Sequence, residues 1–288
     1  FGLLMMFVWL LVPIGLVAFA IATRALPRTP RSVHPFDISS AALNALSFGL
    51  LIIGLDGLGH GQDAAVIAVE LVAAVAFGVM LVVRQLSRTS PLLPVDLMRI
   101  PLFALSVATS IASFTAQGLA FVALPFFLQD TLGRTQVETG LLMTPWPLTV
   151  AVVAPVAGRL ADRYPAGALG GFGLAALAVG LALLALLPSH PTTFDIVWRM
   201  TVCGFGFGFF NAPNNRAMIV SAPRERSGGA SGMLATARLL GQTTGAVLVA
   251  MVFGLAPRHG TSLALALGAG FASVAAVVSC TRLVRVAK

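Results

Sequence analysis

Two kinds of residue pattern in this chain have the types and spacing to do chemistry. The first is the run Gly158-Arg159-Leu160-Ala161-Asp162-Arg163-Tyr164-Pro165 between two apolar stretches. Gly158 lets a helix end meet its neighbour closely, Asp162 can accept hydrogen bonds from a following helix N-terminus, and Arg163 can pair with a carboxylate or a lipid phosphate. A charged turn of this kind holds one conformation and releases in another, so Gly158, Leu160, Asp162 and Arg163 form a candidate conformational latch. Its plainer reading is a helix hairpin that retains positive charge. The second pattern is a pair of polar stripes. Ser106, Ser110, Ser113, Gln117 and Phe121 follow at steps of four, three, four and four and line one helix face. Gly228, Ser231, Ala235, Arg238, Gln242 and Gly245 do the same further on. Polar groups at membrane depth line water or find partners, although such stripes also serve helix packing. Ser113, Gln117, Phe121 and Gln242 are therefore the expected cavity residues, joined by Trp146. Pro145 and Pro147 bracket that indole, where a kink leaves carbonyls in need of donors. Trp146 either stacks on an aromatic or cationic ligand or simply packs.

Single charges add detail. Arg238 lies deep on the second stripe and suits gating, or pairing with an acid on a neighbouring helix. Glu70 sits about 10 Å into an apolar run by helix rise, where a carboxyl group suits proton coupling or a snorkelling role. Asp195 and Arg199, four apart, can neutralise each other. Gly204, Gly206 and Gly208 invite a nucleotide reading, but no strand or βαβ unit surrounds them. Gly204 and Gly208, with Pro213, instead suit close helix contact or a hinge, and Gly241 and Gly245 repeat the small-xxx-small spacing. His60, His190 and His259 stand alone in their loops without metal-ligand spacing. Cys203 and Cys280 fall in apolar runs as small hydrophobes. No Ser/His/Asp, His-rich or paired-carboxylate constellation appears, so a catalytic site, a metal site and an enzyme are not expected.

The elements that must carry these residues follow from composition. Of 288 residues 58% are hydrophobic and 10% charged, and the mean hydropathy is +0.95. A soluble domain is about 45–50% apolar and about 25% charged, and no chain of this length could bury such a surface in water. The surplus of 18 Lys and Arg over 10 Asp and Glu is spread singly and in pairs, not as a basic stripe, which argues against nucleic acid. Read against a spanning length of about 20 residues, the chain gives about nine apolar spans, roughly 3–22, 38–55, 64–83, 102–126, 139–157, 168–187, 195–214, 229–255 and 262–281. Alternate loops hold Arg24, Arg28, Arg31, Arg84, Arg88, Arg99, Arg159, Arg163, Arg216, Arg224, Arg226, Arg282, Arg285 and Lys288 on one side and only Arg134 and Arg258 on the other. Retained positive charge places the C-terminus in the cytoplasm of a cell-membrane protein and Phe1 outside. The opening run lacks a basic n-region and a small-residue cleavage site, so it is no signal peptide. The expectation is a chain that starts partway through a longer protein.

The run GRLADRY resembles the G-x-L-a-D-r-x-G loop motif of the major facilitator superfamily, in its second-half copy. PLLPVDLMR at 91–99, RMTVCGFGFGFFNAPNN at 199–215 and GGASGMLATARLLGQTTGAVL at 228–248 are similar to that superfamily's fourteen-helix drug:proton antiporters, and VPIGLVAFAIATRALPRTPR resembles the end of their sixth helix and the loop after it. Pro165 replaces the motif's second glycine and Ala166-Gly167 its basic residue. The resemblance implies an all-α multipass transmembrane helix bundle, the second half of the fold plus linker helices. Residues 1–35 would be the last helix of the first half and its loop, 36–99 two linker helices, and 100–288 the second six-helix half. It further implies alternating access about a midplane cavity, with proton inflow driving export of amphipathic compounds and with no bound cofactor. The expected partners are the lipid bilayer, protons, a small amphipathic substrate, and the missing first half in the same or another chain. That half would carry most of the proton coupling, so this chain alone is not expected to transport. Competing readings keep the fold but carry a metabolite, or leave a non-transporting half-protein.

Overall fold

The computed structural model describes residues 2–25, 37–60, 62–86, 95–188, 190–256 and 259–286. Arg28, Arg31, Arg88, Arg258, Lys288 and the first part of PLLPVDLMR lie outside them. Ten helices account for nearly all of the described chain, and no strand occurs among the described residues: α1 (Gly2–Ala25), α2 (Ile38–His60), α3 (Ala64–Leu86), α4 (Pro101–Phe126), α5 (Gln136–Met143), α6 (Pro145–Leu160), α7 (Ala166–Ala185), α8 (Thr193–Ser221), α9 (Ser227–Leu255) and α10 (Gly260–Val286). The chain divides into two compact units, Phe1–Asp37 and Ile38–Lys288. The first holds α1, a single apolar helix with Pro13 inside it.

Among the described residues of the second unit, six segments are long and apolar enough to cross a membrane: Ala64–Arg84, Pro101–Thr131, Gln136–Leu160, Ala166–Ala185, Ser227–Leu255 and Gly260–Arg282. The 29-residue α8 is a continuous helix but falls outside this group. Its Arg199, Asn211, Asn214, Asn215 and Arg216 dilute its hydropathy, although length alone would carry it across a bilayer.

Local chemistry sets the ends. Thr135 caps α5 and Thr192 caps α8, each accepting from the backbone N–H three residues on while Glu138 or Asp195 accepts from the cap's own N–H. Asp195 also holds Arg199 at 3.2 Å, so the pair is a helix-start device. Pro145 breaks the fifth expected span into α5 and α6. Pro145 has no N–H for Leu141 O, and the Thr144 N–H, which donates to Gly140 O at 3.0 Å, also reaches Leu141 O at 3.3 Å. α4 runs on through Pro125 into a π turn, Phe127–Thr131, and Gly133 then supplies the positive φ of 63° that turns the chain back.

Helices α4, α6, α7, α8, α9 and α10 pack side by side in the pairs α7–α8, α7–α10, α4–α9, α4–α10 and α6–α8. The main core joins Leu174, Leu177 and Leu181 of α7 with Met200, Phe207 and Phe210 of α8 and Trp146 of α6. α2 and α3 form a hairpin of their own, and α2 also touches α9.

Candidate functional site

The latch residues lie at the α6–α7 turn, and their partners differ from those expected. Asp162 accepts from Arg216 Nη1 of α8, an exposed ion pair whose side chains are 60% and 47% accessible. The start of α7 takes no side-chain cap, because Pro165 occupies that position. A Cβ on Gly158 would meet open space, so close helix approach is not what glycine supplies there. Leu160 ends α6, and Arg163 is exposed and pairs with no side chain among the described residues. A second tie at the same end was not visible in the sequence: Arg226 donates to Asp96 at 2.7 Å, joining the short turn before α4 to the α8–α9 connection.

The serine stripe of α4 points into the bundle. Ser106, Ser110 and Ser113 are all buried. Ser113 donates to Ser110 O at 2.9 Å, and Ser110 accepts from Asn214 Nδ2 of α8 at 2.8 Å. Ser113 thus sits within the helix packing, fully buried. At the centre of this buried patch is Arg282 of α10, 2% exposed, a residue the loop comparison had placed in the cytoplasm. Its guanidinium donates to Asn214 Oδ1 at 2.8 Å, Ser106 Oγ at 3.3 Å, Leu105 O at 3.3 Å and the Thr109 hydroxyl. All four acceptors are neutral, and Nε has no partner. This cage binds α4, α8 and α10 together.

Further along α4 the stripe emerges. Gln117 is half-buried and faces Gln242 of α9, amide to amide at 3.5 Å, while Phe121 is 36% exposed. Phe121 lies edge-on against Trp146 with ring centres 5.1 Å apart. Trp146 is itself 1% exposed and approaches Phe207, so its ring is part of the core behind Phe121 and unavailable for stacking on a ligand. Its Nε1–H has no acceptor. Arg238, exposed on α9, holds its guanidinium carbon 5.9 Å from the Phe114 ring centre and forms no ion pair among the described residues. Two close crossings support this wall. A Cβ on Gly241 or Gly245 would come within 2.6 Å of the carbonyl oxygens of Ile111 and Thr115 on α4. One on Gly204 would meet Trp146 O at 2.5 Å, and one on Gly208 the α6 backbone at 3.1 Å. Pro213 is buried in an uninterrupted α8, directly before Asn214.

Glu70 stands apart from this wall, on α3. It lies against Gly54 of α2, where a Cβ would be 3.2 Å from its own, and its Oε2 is buried without a hydrogen-bond partner. Among the described residues no three His, Cys, Asp or Glu side chains converge as a metal site.

Comparison with known proteins agrees with this architecture. The family model for the Major Facilitator Superfamily matches residues 6–246. The uncharacterized transporter YebQ of Escherichia coli (strain K12) is 54% identical over 274 residues, which is 94% of this chain and 60% of that protein. The riboflavin transporter RibZ of Clostridioides difficile (strain 630) is 24% identical over 84% of this chain and 52% of its own length. The multidrug resistance protein Stp of Mycobacterium tuberculosis is 28% identical over 75% and 40%. The chain thus spans roughly half the length of these relatives. A multipass helical bundle, a family match over most of the chain and a close relative named as a transporter together show that this chain belongs to the major facilitator superfamily of membrane transporters.

Proposed function

We propose that the chain supplies the second six-helix half, two linker helices and one preceding helix of a proton-driven exporter of amphipathic small molecules that works by alternating access. On this reading α1 through α10 make nine spans, with α5 and α6 sharing one, and the arginine-rich end of the bundle faces the cytoplasm. The observation that carries it is the wall of Gln117, Phe121, Arg238 and Gln242. Arg238 is the twelfth residue of the 29-residue α9, about 16 Å from its start, which is near the middle of a bilayer about 30 Å thick. An unpaired guanidinium at that depth costs about 2.5–3.5 kcal/mol or more against lipid, so this face meets water or another protein surface. A midplane cavity between two halves provides both.

The exposed Asp162–Arg216 pair fits the latch. It ties the α6–α7 turn to α8 with groups that water can reach, so it breaks and reforms at small cost as the ends of the helices separate. Glu70 and Arg238 are the candidates within this chain for proton coupling and gating. Relatives named for multidrug resistance and for riboflavin carry the cargo expectation, and RibZ's name favours a second reading in which the same cavity serves a metabolite.

The test uses the protein expressed from its complete gene in inside-out membrane vesicles. Imposing a proton gradient should drive uptake of a fluorescent amphipathic dye, collapse of the gradient should stop it, and Asp162→Asn should slow it several-fold. Dye movement that ignores the gradient would overturn proton coupling, and a stable fold with no movement of any dye or flavin would overturn transport.

A further inference from the structure

The charge of the wall is one-sided. Among the described residues, α4, α6, α7, α9 and α10 carry no acidic side chain, and the acids of α5 and α8, Glu138 and Asp195, are both held in the capping boxes of their first turns. The mid-membrane part of these helices therefore offers a guanidinium and no carboxylate to neutralise it. Among the described residues Arg238 has no ion-pair partner; its guanidinium carbon lies 5.9 Å from the Phe114 ring centre, and no charged acceptor meets its five N–H donors there.

The neighbours of Arg238 are arranged by the two helices that meet there. On α9 Gln242 follows Arg238 by one turn, and on α4 Phe114, Gln117 and Phe121 share a face at steps of three and four. The close α4–α9 crossing at Gly118, Gly241 and Gly245 brings these faces together, a Cβ on Gly118 lying only 2.9 Å from Gln242 O. From Arg238 the aromatic rings run on as Phe114, Phe207, Trp146 and Phe121 at centre separations of 5.4, 6.3 and 5.1 Å. Of these four rings Phe121 is the accessible one. Donors of Arg238 and Gln242 on α9, with the accessible Phe121 ring further along the facing α4, are complementary to an elongated flat molecule with oxyanion or carbonyl oxygens at one end. It is unfavourable for a lipophilic cation, which would meet Arg238 with no carboxylate between them.

We infer that Arg238, Gln117, Gln242 and Phe121 form a subsite for an aromatic substrate bearing an anionic or strongly accepting oxygen, with the guanidinium on that oxygen and Phe121 against the ring. This rests on the transport reading above and narrows its cargo. It also gives Arg238 a recognition role in place of pairing with an acid on a neighbouring helix.

The experiment compares two planar dyes of opposite charge, carboxyfluorescein and ethidium, on the protein from its complete gene. Uptake into proteoliposomes with an imposed proton gradient is measured beside equilibrium binding by fluorescence polarisation in detergent. The wild type should bind and move carboxyfluorescein at least tenfold better than ethidium. Arg238→Gln should lose that preference by about tenfold, and Arg238→Lys should keep part of it, because charge persists while the planar fork is lost. Gln242→Leu, which keeps the charge, should weaken carboxyfluorescein binding by a smaller factor. A preference for ethidium, or carboxyfluorescein binding unchanged in Arg238→Gln, overturns the subsite. An equal loss of both dyes in Arg238→Gln overturns it in favour of a structural pairing with an acid elsewhere. If the wild type binds carboxyfluorescein through Arg238 but moves neither dye, the transport reading fails while the subsite stands. If it neither binds nor moves carboxyfluorescein, the subsite falls.

Discussion

Arg282 and Arg238 stand on neighbouring helices, α10 and α9, and meet opposite surroundings. Arg282 is closed in by Asn214, Ser106, Thr109 and Leu105, so its charge is spread over four neutral oxygens and three helices are fixed to one another. Arg238 lies open, with the Phe114 ring beneath it and, among the described residues, no oxygen accepting its N–H groups. A buried guanidinium without a carboxylate is tolerated only when its hydrogen bonds are almost all made, and then its role is to hold. A guanidinium at membrane depth with those bonds unmade is poised for something outside its own bundle.

The comparison can be broken most readily by stability. Arg282→Leu should cost the most, about 3 kcal/mol, because Asn214 and the α4 hydroxyls lose their donor where no water replaces it. Arg238→Leu should leave the thermal unfolding midpoint of the solubilised protein nearly unchanged, and equal losses for the two variants would erase the distinction. Next in size is Gly245→Leu. Its side chain has no room against Thr115 O and Leu119 N, and about 2 kcal/mol of strain would push α9 from α4. Oxidative cross-linking of a Gln117→Cys, Gln242→Cys pair should then drop sharply, and undiminished cross-linking would show that the wall does not depend on that crossing.

Smaller effects sharpen the picture. The coupling between Asp162 and Arg216, from a double-mutant cycle with Asp162→Asn and Arg216→Gln, should be below about 1 kcal/mol because water screens both groups. A much larger coupling would make the pair a structural brace and not a releasable latch. Smallest is Glu70→Gln, expected within about 0.5 kcal/mol of wild type, since the amide keeps the shape of the carboxyl in the α2–α3 hairpin. If the same variant flattens the dependence of transport on the proton gradient, the hairpin takes part in coupling. If it leaves that dependence intact, Glu70 is structural.

Much of the architecture was legible. Apolar runs of about 20 residues located the helices, and Pro145, expected to kink the fifth run, stands where that run divides into α5 and α6. The α4 stripe shows where legibility stops. Its spacing states that Ser106, Ser110, Ser113, Gln117 and Phe121 share a face, yet in a membrane both the lipid side and the protein side of a helix are apolar. Periodicity therefore does not say which way the face turns. Here it turns inward at Ser106 and opens only at Phe121. Arg282 was read as a retained loop charge for a related reason: nothing in the sequence marks an arginine near a helix end as buried until Asn214, 68 residues away, is beside it.

The sequence by itself determined that this is a membrane helix bundle, roughly where its apolar helices lie, and which motif and stripe residues lie on common faces. Each of these depends on hydrophobicity and residue spacing acting within a few residues of one another. The tertiary structure decided the partners: Asp162 with Arg216, Asp96 with Arg226, Arg282 with Asn214, and Arg238 with no acid among the described residues. These pairings join elements 54 to 130 residues apart, where only the packing of whole helices fixes which polar groups meet.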